Sequence, residues 1–464
     1  MYHSESEPNN RKMSKLNNVT PDFNYMIRIT FWNGLGFIFF MFIKSYVVIY
    51  FFGGSGITLG IIMALQPFAR LISMPLIGYL TDHKSKKLLV LIGSLGRTLS
   101  YILYWISLVI QNLFLFGAGT FCQGLLVAFF WPPFFALLSD KSFKGSRTQS
   151  LATGRGKMIG YGFLLGALIS IPIFALVSIF LPGNIALMYS PLLIFATINL
   201  IAGRHFYLKV DENLTFEKYY NSLDDSNLNP INIEQESEIF ENKEEKNIKQ
   251  DKVFYFGFFI LILAITVSSI TATIYSPFIS AFLIENLLPN FSERIIPIIV
   301  MIVYFPAQVI SQLIAPSLGK VFDRISPSLS IISIEIFKAL MIWLLLLAFS
   351  PYDFALFLIF LYIALEASIY LIQAIMSRIS IKHRGKIFGL NIWIDQLGRV
   401  IGPLIGGILW DSFGYDIPFL ISIYIGLCFI PIFIFAIRSL GPYMVEQTKI
   451  DKIGIITVKK KNPR

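Results

Sequence analysis

The sequence contains little charge and almost no cysteine. Only 14% of its 464 residues are charged and 55% are hydrophobic, whereas an ordinary soluble domain carries about 25% charged residues. The charges crowd into short segments, and the apolar stretches between them reach the length of about 18 residues or more that is typical of membrane-spanning helices. The composition therefore excludes an ordinary soluble protein and predicts a polytopic membrane protein.

Several chemical motifs are also missing. The two cysteines, Cys122 and Cys428, lie inside apolar runs, which argues against a disulfide framework or a metal site. None of the four histidines has the partner residues of a catalytic motif, and no G-x-x-x-x-G-K-[ST] run supplies an ATP site. We therefore expect no enzyme activity, no metal and no cofactor. The segment before Phe23 has no apolar run, so we expect no cleavable signal peptide, and the first span would act as the insertion signal.

Apolar runs divide the chain into twelve predicted spans. Backbone groups cannot remain unpaired in hydrocarbon, so each span should be a helix and the protein should be all-α. The predicted spans are residues 24–50, 57–80, 88–109, 112–139, 149–180, 184–207, 253–284, 294–318, 327–349, 353–378, 386–410 and 416–438. Prolines interrupt several of them, namely Pro132 and Pro133 in the fourth span, Pro277 in the seventh and Pro306 in the eighth.

Lysine and arginine occur on one side of these spans. The loops of that side contain Lys84, Lys86, Lys87, Lys141, Lys144, Arg147, Arg324, Lys382, Arg384 and Lys386. The loops of the other side contain none, apart from Arg294 at the edge of one. By the positive-inside rule both termini should be cytosolic. The same rule accounts for the net charge of +10, so we expect no nucleic-acid partner.

The polar segments define the expected domain organisation. Residues 1–22 form a cytosolic tail, 23–208 and 253–439 form two six-helix bundles, and 440–464 form a basic cytosolic tail. The segment 209–252 is rich in Asn, Asp, Glu and Lys, so we expect a disordered cytosolic linker. The basic C-terminal tail should lie near the anionic inner leaflet and its lipids, and a plain solvated tail is favoured over a specific binding role.

A loop motif repeats in the two predicted halves. The first copy runs from Gly78 through Leu80 and Asp82 to Lys86 and Lys87. The reduced second copy contains Gly319, Asp323 and Arg324. Gly78 and Gly319 are 241 residues apart, and Asp82 and Asp323, as well as Arg97 and Lys338, have the same offset. A constant offset across two spans indicates two parallel halves of similar construction.

The first loop resembles the G-x-L-x-D-R-x-G-R-R/K signature of the major facilitator superfamily, with His83 and Ser85 replacing its arginine and glycine. This resemblance covers the whole chain and implies two pseudo-symmetric six-helix bundles that rock around a central cavity. It also implies that Asp82 belongs to a cytosolic latch between the halves. The alternative is that the lysines of the loop only set the orientation in the membrane.

A glycine-rich element in the eleventh span is the second part of the resemblance. It contains Gly398, Gly402, Pro403, Gly406 and Gly407, and glycines at this spacing allow close helix packing. In drug/proton antiporters of the family a similar element lies in the fifth span. The fifth span of this chain lacks its proline, which argues against drug efflux.

Charges within the spans are the candidates for solute binding and coupling, because a charge at mid-bilayer costs about 2.5–3.5 kcal/mol. The resemblance places Glu366 beside the cavity, as a proton-coupling carboxylate or as a structural partner of an arginine. Arg70 would contact an anionic solute or form a structural ion pair. Asp395 and Arg399, four residues apart, could pair on one helix face, and Lys44 could extend toward the outer surface. Further cavity candidates are Gln123, Trp131, Gln308, Tyr370 and Gln373.

These observations predict a monomeric, multi-pass cell-membrane transporter. It would move a small solute by alternating access and couple this movement to protons. The alternatives are a receptor or assembly factor that has the transport fold but moves no solute and, less favoured, a polytopic membrane enzyme.

Overall fold

The computed structural model describes residues 19–142, 158–216, 218–219, 252–292, 294–322, 325–379 and 384–441. Within these ranges the regular structure is helical, apart from one isolated antiparallel bridge between Val19 and Ser142. The helices of the first half are α1 (Phe23–Tyr46), α2 (Gly56–His83), α3 (Lys86–Val109), α4 (Leu113–Val127), α5 (Trp131–Asp140), α6 (Met158–Phe180), α7 (Ile185–Met188) and α8 (Pro191–Lys209). Those of the second half are α9 (Lys252–Tyr275), α10 (Ile279–Leu287), α11 (Ile296–Phe322), α12 (Pro327–Leu346), α13 (Pro351–Ile379), α14 (Arg384–Phe413) and α15 (Ile417–Leu440).

Ten helical segments in the described ranges are long and apolar enough to cross a membrane. Two of these segments are interrupted helices, formed by α4 with α5 and by α9 with α10. The helices α1 and α14 have 24 and 30 residues, which also suffices to span a bilayer, but neither is among the ten. In α14 the charged residues Asp395, Arg399 and Asp411 lower the hydropathy.

Proline accounts for the two interruptions. Between α4 and α5 the chain forms a turn just before Pro132 and Pro133. Between α9 and α10 a 3₁₀ turn, Ser276–Phe278, contains Pro277. Proline lacks the N–H that an α-helical hydrogen bond needs, so the helix has to stop or change its pitch there. Beyond α1, residues Val47–Phe51 form a π-helical turn.

The two halves repeat one packing scheme. In the first half α1 packs against α6 and α8, α3 packs against α4 and α8, and α2 packs against α4. In the second half α9 packs against α14 and α15, α12 packs against α13 and α15, and α11 packs against α13. Each pairing of the first half thus has a counterpart in the second. The halves meet mainly where α2 contacts α14 and where α6 and α1 contact α11.

Among the described residues, the hydrophobic core that joins the halves lies at one end. One cluster combines residues of both halves, such as Val48, Phe174, Phe278 and Trp410. A second cluster, which includes residues 261 and 440, belongs to the second half, and a third, which includes residues 23 and 210, belongs to the first. We call the end with Lys86, Lys141 and Lys209 the basic end, and the opposite end, where the halves share a core, the closed end.

Candidate functional site

At the closed end a carboxylate of the second half caps a helix of the first. The side chain of Ser55 and the carboxylate of Asp411 both lie at the N-terminus of α2. Asp411 accepts hydrogen bonds from the backbone N–H of Gly56 at 2.7 Å and from that of Ile57 at 2.8 Å. The first turn of a helix has unpaired N–H groups and a partial positive charge, so an anion is favoured there. This contact ties α14 to α2.

Further side-chain hydrogen bonds join the halves at the closed end. The hydroxyl of Tyr50 donates to Glu285 at 2.8 Å, and that of Ser45 donates to the carbonyl of Pro277 at 2.7 Å. That carbonyl lies at the break between α9 and α10, where a regular helix would have used it. The hydroxyl of Ser178 donates to the carbonyl oxygen of Arg294, just before α11, at 2.8 Å. The N-terminus of α2, the start of α11 and the break between α9 and α10 therefore take part in closing this end.

At the basic end the ion pairs connect parts of the first half with one another. Lys141, whose side chain is fully buried, donates to Asp22 at 2.6 Å and to the carbonyls of Asp211 and Leu214. Asp22 also accepts from the backbone N–H of Asp211 at 3.0 Å. The segments before α1, after α5 and after α8 thus share one buried ion pair. Asp22 was not expected as a site residue, because an acid just before the first span looks like part of a solvated tail.

The loop between α2 and α3 also bonds within the first half. Lys86 pairs with Asp140 at 2.7 Å, and Lys87 lies over the ring of Tyr207, 5.0 Å from its centroid. Glu212 accepts from the hydroxyl of Ser85 and from the backbone N–H of Lys86, both at 2.6 Å. Ser85, a departure from the family signature, therefore caps α3 and also anchors residues that follow α8.

The other residues of the repeated loop motif are either largely exposed or lie outside the described residues. Asp82 is exposed, Leu80 is half-buried, and a Cβ added to Gly78 would meet no atom within 4 Å. Asp323 and Arg324 lie outside the described residues, as do the side-chain surroundings of Gly319. In the described ranges the carboxylate of Asp82 contacts no residue of the second half, so a latch through Asp82 stays a prediction for another state.

Between the two ends, Asp395 and Arg399 form the ion pair that their spacing predicts. The Nε of Arg399 donates to Asp395 Oδ2 at 2.7 Å. The hydroxyl of Ser269 on α9 donates to the other carboxylate oxygen at 3.0 Å. Asp395 thus holds Arg399 in position and at the same time joins α14 to α9.

Arg70 on α2 faces this pair across the contact between the halves. It is half-buried and lies within electrostatic range of both Arg399 and Asp395. Among the described residues none forms a hydrogen bond or an ion pair with its guanidinium, in contrast to Arg399. These three groups carry a net positive charge before the nearby carboxylate of Glu366 is counted.

Glu366 on α13 lies within electrostatic range of Arg399. Its Oε1 accepts a hydrogen bond from Gln312 of α11 at 2.7 Å, and its charge also acts on Arg399. Gln308, one helical turn before Gln312, is buried, and its Nε2 donates to none of the residues that the structure describes. Tyr370, one turn after Glu366, is half-buried. The structure thus brings Glu366 close to the Arg399–Asp395 pair, whereas the side chain of Gln373 lies outside the described part.

Two of the other cavity candidates are engaged in helix packing of the first half. Gln123 is buried and accepts from the hydroxyl of Tyr104 at 2.9 Å, which joins α4 to α3. Trp131 stacks on Phe135 with their ring centroids 5.5 Å apart. Lys44, expected to extend outward, instead turns inward: it is 6% exposed and donates to Gln66 at 3.0 Å. The gap between α1 and α2 offers a polar partner there, so the ammonium group need not reach water.

Sequence reasoning also missed the burial of Arg97 in α3. It is 2% exposed, its Nη1 donates to the carbonyl of Asn33 at 3.4 Å, and its guanidinium lies over the ring of Phe130. No described residue forms a hydrogen bond with its Nε or Nη2. The sequence did contain a signal for this buried charge, because Arg97 is a lone arginine inside an apolar span. Its counterpart in the repeat, Lys338, pairs with Glu335 at 2.6 Å.

The glycines of α14 make close contacts with two helices. A Cβ added to Gly398, Gly402 or Gly406 would collide with α9, whereas one added to Gly407 would collide with the backbone of Gly56 in α2. The carbonyl of Pro403 lies against Gly60 of α2. The glycine-rich element therefore lets α14 pack closely between α9 of its own half and α2 of the other.

Comparison with known proteins gives the family. The model of the Major Facilitator Superfamily matches residues 26–370 and 261–461. Multidrug resistance protein 2 of Bacillus subtilis (strain 168) is 22% identical over 379 residues, which are 79% of this chain and 83% of that protein.

Solved structures show the same fold. A bacterial homologue of the human lysosomal transporter Spinster, in an inward-facing and unoccupied conformation, matches with a TM-score of 0.62 at 13% identity over 92% of this chain and 99% of its own. The E. coli fucose:proton symporter FucP matches with a TM-score of 0.54 at 12% identity over 91% and 99%. The chain is therefore a multi-pass membrane protein that belongs to the major facilitator superfamily, whose members are secondary transporters rather than enzymes.

Proposed function

We propose that the protein moves a small anionic or carboxylate-bearing solute across the cell membrane by alternating access, coupled to protons. It would act as a monomer with twelve crossings, with the basic end and both termini in the cytosol, and without a cofactor. One observation carries the mechanism: the halves share a core and hydrogen bonds at the closed end, whereas each has its own core at the basic end. This is the arrangement expected of an inward-facing state.

The charge of the interior supports the solute class. In the described part of the chain no residue bonds to the guanidinium of Arg70, which lies near Arg399, so a carboxylate or phosphate is favoured there, most of all when Glu366 is protonated. Such groups match the planar guanidinium well. A cationic drug would meet repulsion from the guanidinium of Arg70, so efflux of cationic drugs is not the activity proposed for this protein.

Glu366 is the proposed proton site. It lies within a transmembrane helix and is held by the neutral Gln312, so burial opposes its charge and a nearby arginine favours it. Movement of Arg399 relative to Glu366 during the transport cycle would shift this balance. Protonation of Glu366 would then depend on the conformational state, as coupling requires.

A proteoliposome assay tests the transport activity. Uptake of a panel of carboxylates, phosphates, neutral sugars and lipophilic cations is measured under imposed pH and sodium gradients. We expect uptake of an anion that follows the pH gradient. No gradient-driven uptake of any compound would instead favour a receptor or assembly factor with this fold.

Two variants test the assigned residues. Glu366→Gln should abolish the response to the pH gradient while solute exchange continues, because the proton site is lost but the pathway remains. Arg70→Ala should abolish the thermal shift caused by the solute, and Arg70→Lys should retain part of it. If solute binding and pH response survived both Glu366→Gln and Arg70→Ala, these assignments would be wrong.

Spin-label distances test the conformational state in a background of Cys122→Ala and Cys428→Ala. One label pair, Gly183→Cys with Ser292→Cys, spans the closed end, and the other, Lys84→Cys with Leu329→Cys, spans the basic end. We expect a narrow short distance at the closed end and a longer one at the basic end. A fixed pair of distances that no solute or pH gradient changes would contradict alternating access.

A further inference from the structure

A groove on the outer surface of the first half is not part of the transport pathway described above. It lies between α1, α6 and α8 and has a volume of about 550 Å³. Its body is lined by Trp32, Tyr161 and Ile201, and its rim carries Tyr25, Arg28 and His205. The volume is within the range of about 300–1,000 Å³ that is typical of small-molecule sites.

The body of the groove is an exposed helix surface, and α8, which carries Ile201, packs against helices of the first half, so this body is placed against the hydrocarbon. Trp32, Tyr161 and Ile201 are 39%, 42% and 62% exposed, and all lie on helices of a membrane protein. An apolar groove at this depth is filled by a chain of similar polarity, because neither water nor a charged solute gains from entering it. An acyl chain is the molecule that the surroundings supply.

The rim of the groove is basic. The guanidinium of Arg28 lies 5.4 Å from the centroid of the Tyr25 ring, and that ring lies 6.3 Å from the ring of His205. Within the described ranges no carboxylate bonds to Arg28. An arginine at a membrane interface keeps its charge, and it binds phosphate through several N–H groups in one plane.

The depth of these residues fits a lipid headgroup. Arg28 follows the start of α1 by five residues, and His205 precedes the end of α8 by four. At about 1.5 Å per residue, both lie some 6–8 Å inside the helix ends. Trp32 and Ile201 lie one turn deeper on the same two helices. The basic rim is thus near the boundary of headgroups and acyl chains, and the apolar body continues toward the bilayer centre.

We propose that this groove is a binding site for one anionic phospholipid of the leaflet that meets the basic end. The phosphate lies between Arg28 and His205, and one acyl chain runs past Trp32 and Tyr161 to Ile201. The lipid thereby bridges α1, α6 and α8. This assignment does not depend on which solute the protein carries.

Native mass spectrometry of the purified full-length protein tests the proposal, with phosphatidylglycerol, phosphatidylethanolamine and phosphatidylcholine of identical chains. We expect tightest binding of phosphatidylglycerol, and Arg28→Gln should weaken it about tenfold or more. Arg204→Gln is the matched control, because it removes the same charge from the exposed neighbour of His205, which does not line the groove. It should leave binding of the lipid unchanged.

A second variant and a soluble probe complete the test. Ile201→Trp keeps every charge but fills the apolar body, so it should also weaken lipid binding. Glycerol 3-phosphate, which has the head without the chains, should not compete at equal concentration. Equal losses in Arg28→Gln and Arg204→Gln, no preference among the three lipids, unchanged binding in Ile201→Trp or full competition by glycerol 3-phosphate would each overturn the proposal.

Discussion

Asp411 at the end of α14 caps the N-terminus of α2 by accepting the backbone N–H groups of Gly56 and Ile57 at 2.7 and 2.8 Å. The two partners are more than 350 residues apart in the chain and belong to different halves. A helix cap is normally supplied by a residue next to the helix. Here a cap that is shared between the halves can form only when the closed end is shut.

Asp411→Asn should therefore favour opening of the closed end. The amide keeps one acceptor oxygen but places an NH₂ donor against a backbone N–H, so at least one of the two hydrogen bonds is lost. Loss of a cap costs about 0.5–2 kcal/mol, which corresponds to a shift of roughly two- to thirtyfold in the ratio of the two states. The measurement is the distance distribution between labels at positions 183 and 292.

Asp416→Asn is the control for Asp411→Asn. It removes the same charge five residues later, at the start of α15, where the side chain makes no capping hydrogen bond. The distance distribution should remain as in the parent protein. Identical distributions for Asp411→Asn and the parent would show that the shared cap does not hold this end closed.

Gly407→Ala should disrupt the same end by a steric effect. The added Cβ would collide with the carbonyl of Gly56 and with the Cα of Ile57, so α14 and α2 would have to move apart. Gly426→Ala is the matched control, since its nearest neighbours would be 3.7 Å away. We expect broadened distances at the closed end and a lower Tm for Gly407→Ala alone. Equal Tm values for the two variants would count against the tight contact.

Lys141→Met should destabilise the first half. The side chain of Lys141 is fully buried and that of Asp22 is 11% exposed, so removal of the cation leaves a buried carboxylate without its main partner. Breaking such a pair costs about 3–5 kcal/mol. The measurement is thermal unfolding in detergent, with Asp140→Asn as control, because the partly exposed Lys86–Asp140 pair should contribute about 1 kcal/mol or less.

The double variant Asp22→Asn/Lys141→Met distinguishes pair energetics from local misfolding. If the unpaired carboxylate causes the loss, the double variant should recover part of the stability of Lys141→Met. A double variant that is less stable than Lys141→Met would mean that Asp22 stabilises the protein mainly through Thr20 and the backbone of Asp211, to which it is also bonded.

Asp395→Asn should impair transport more than stability. The substitution preserves a hydrogen-bond acceptor for Ser269 but removes the charge that orients Arg399, so we expect uptake to fall at least tenfold. The pair is 33–43% exposed, so the loss of folding free energy should stay near 1 kcal/mol. Uptake and Tm are measured on the same preparation, with Ser269→Ala as control for the contact between helices. Unchanged uptake would place the pair outside the pathway.

Local rules predicted the features that depend on a few neighbouring residues. The Asp395–Arg399 pair followed from a spacing of four on one helix, and the breaks at Pro132–Pro133 and Pro277 followed from the missing N–H of proline. The structure shows the ion pair and these two breaks, whereas α11 continues through Pro306 without a break. Lys44 was wrongly expected to reach the surface, because its partner Gln66 lies on another helix and could not be seen from spacing.

The sequence by itself determined the helical membrane architecture and its repetition in two halves. This was possible because hydrocarbon offers the backbone no hydrogen bonds and therefore demands long apolar helices. Only the tertiary structure decided which end is closed, that Asp411 caps α2, that Asp22 and Lys141 join three segments, and that a basic groove lies between α1, α6 and α8. These features depend on contacts between distant helices, and hydropathy does not encode which helix faces, and which ends, come together.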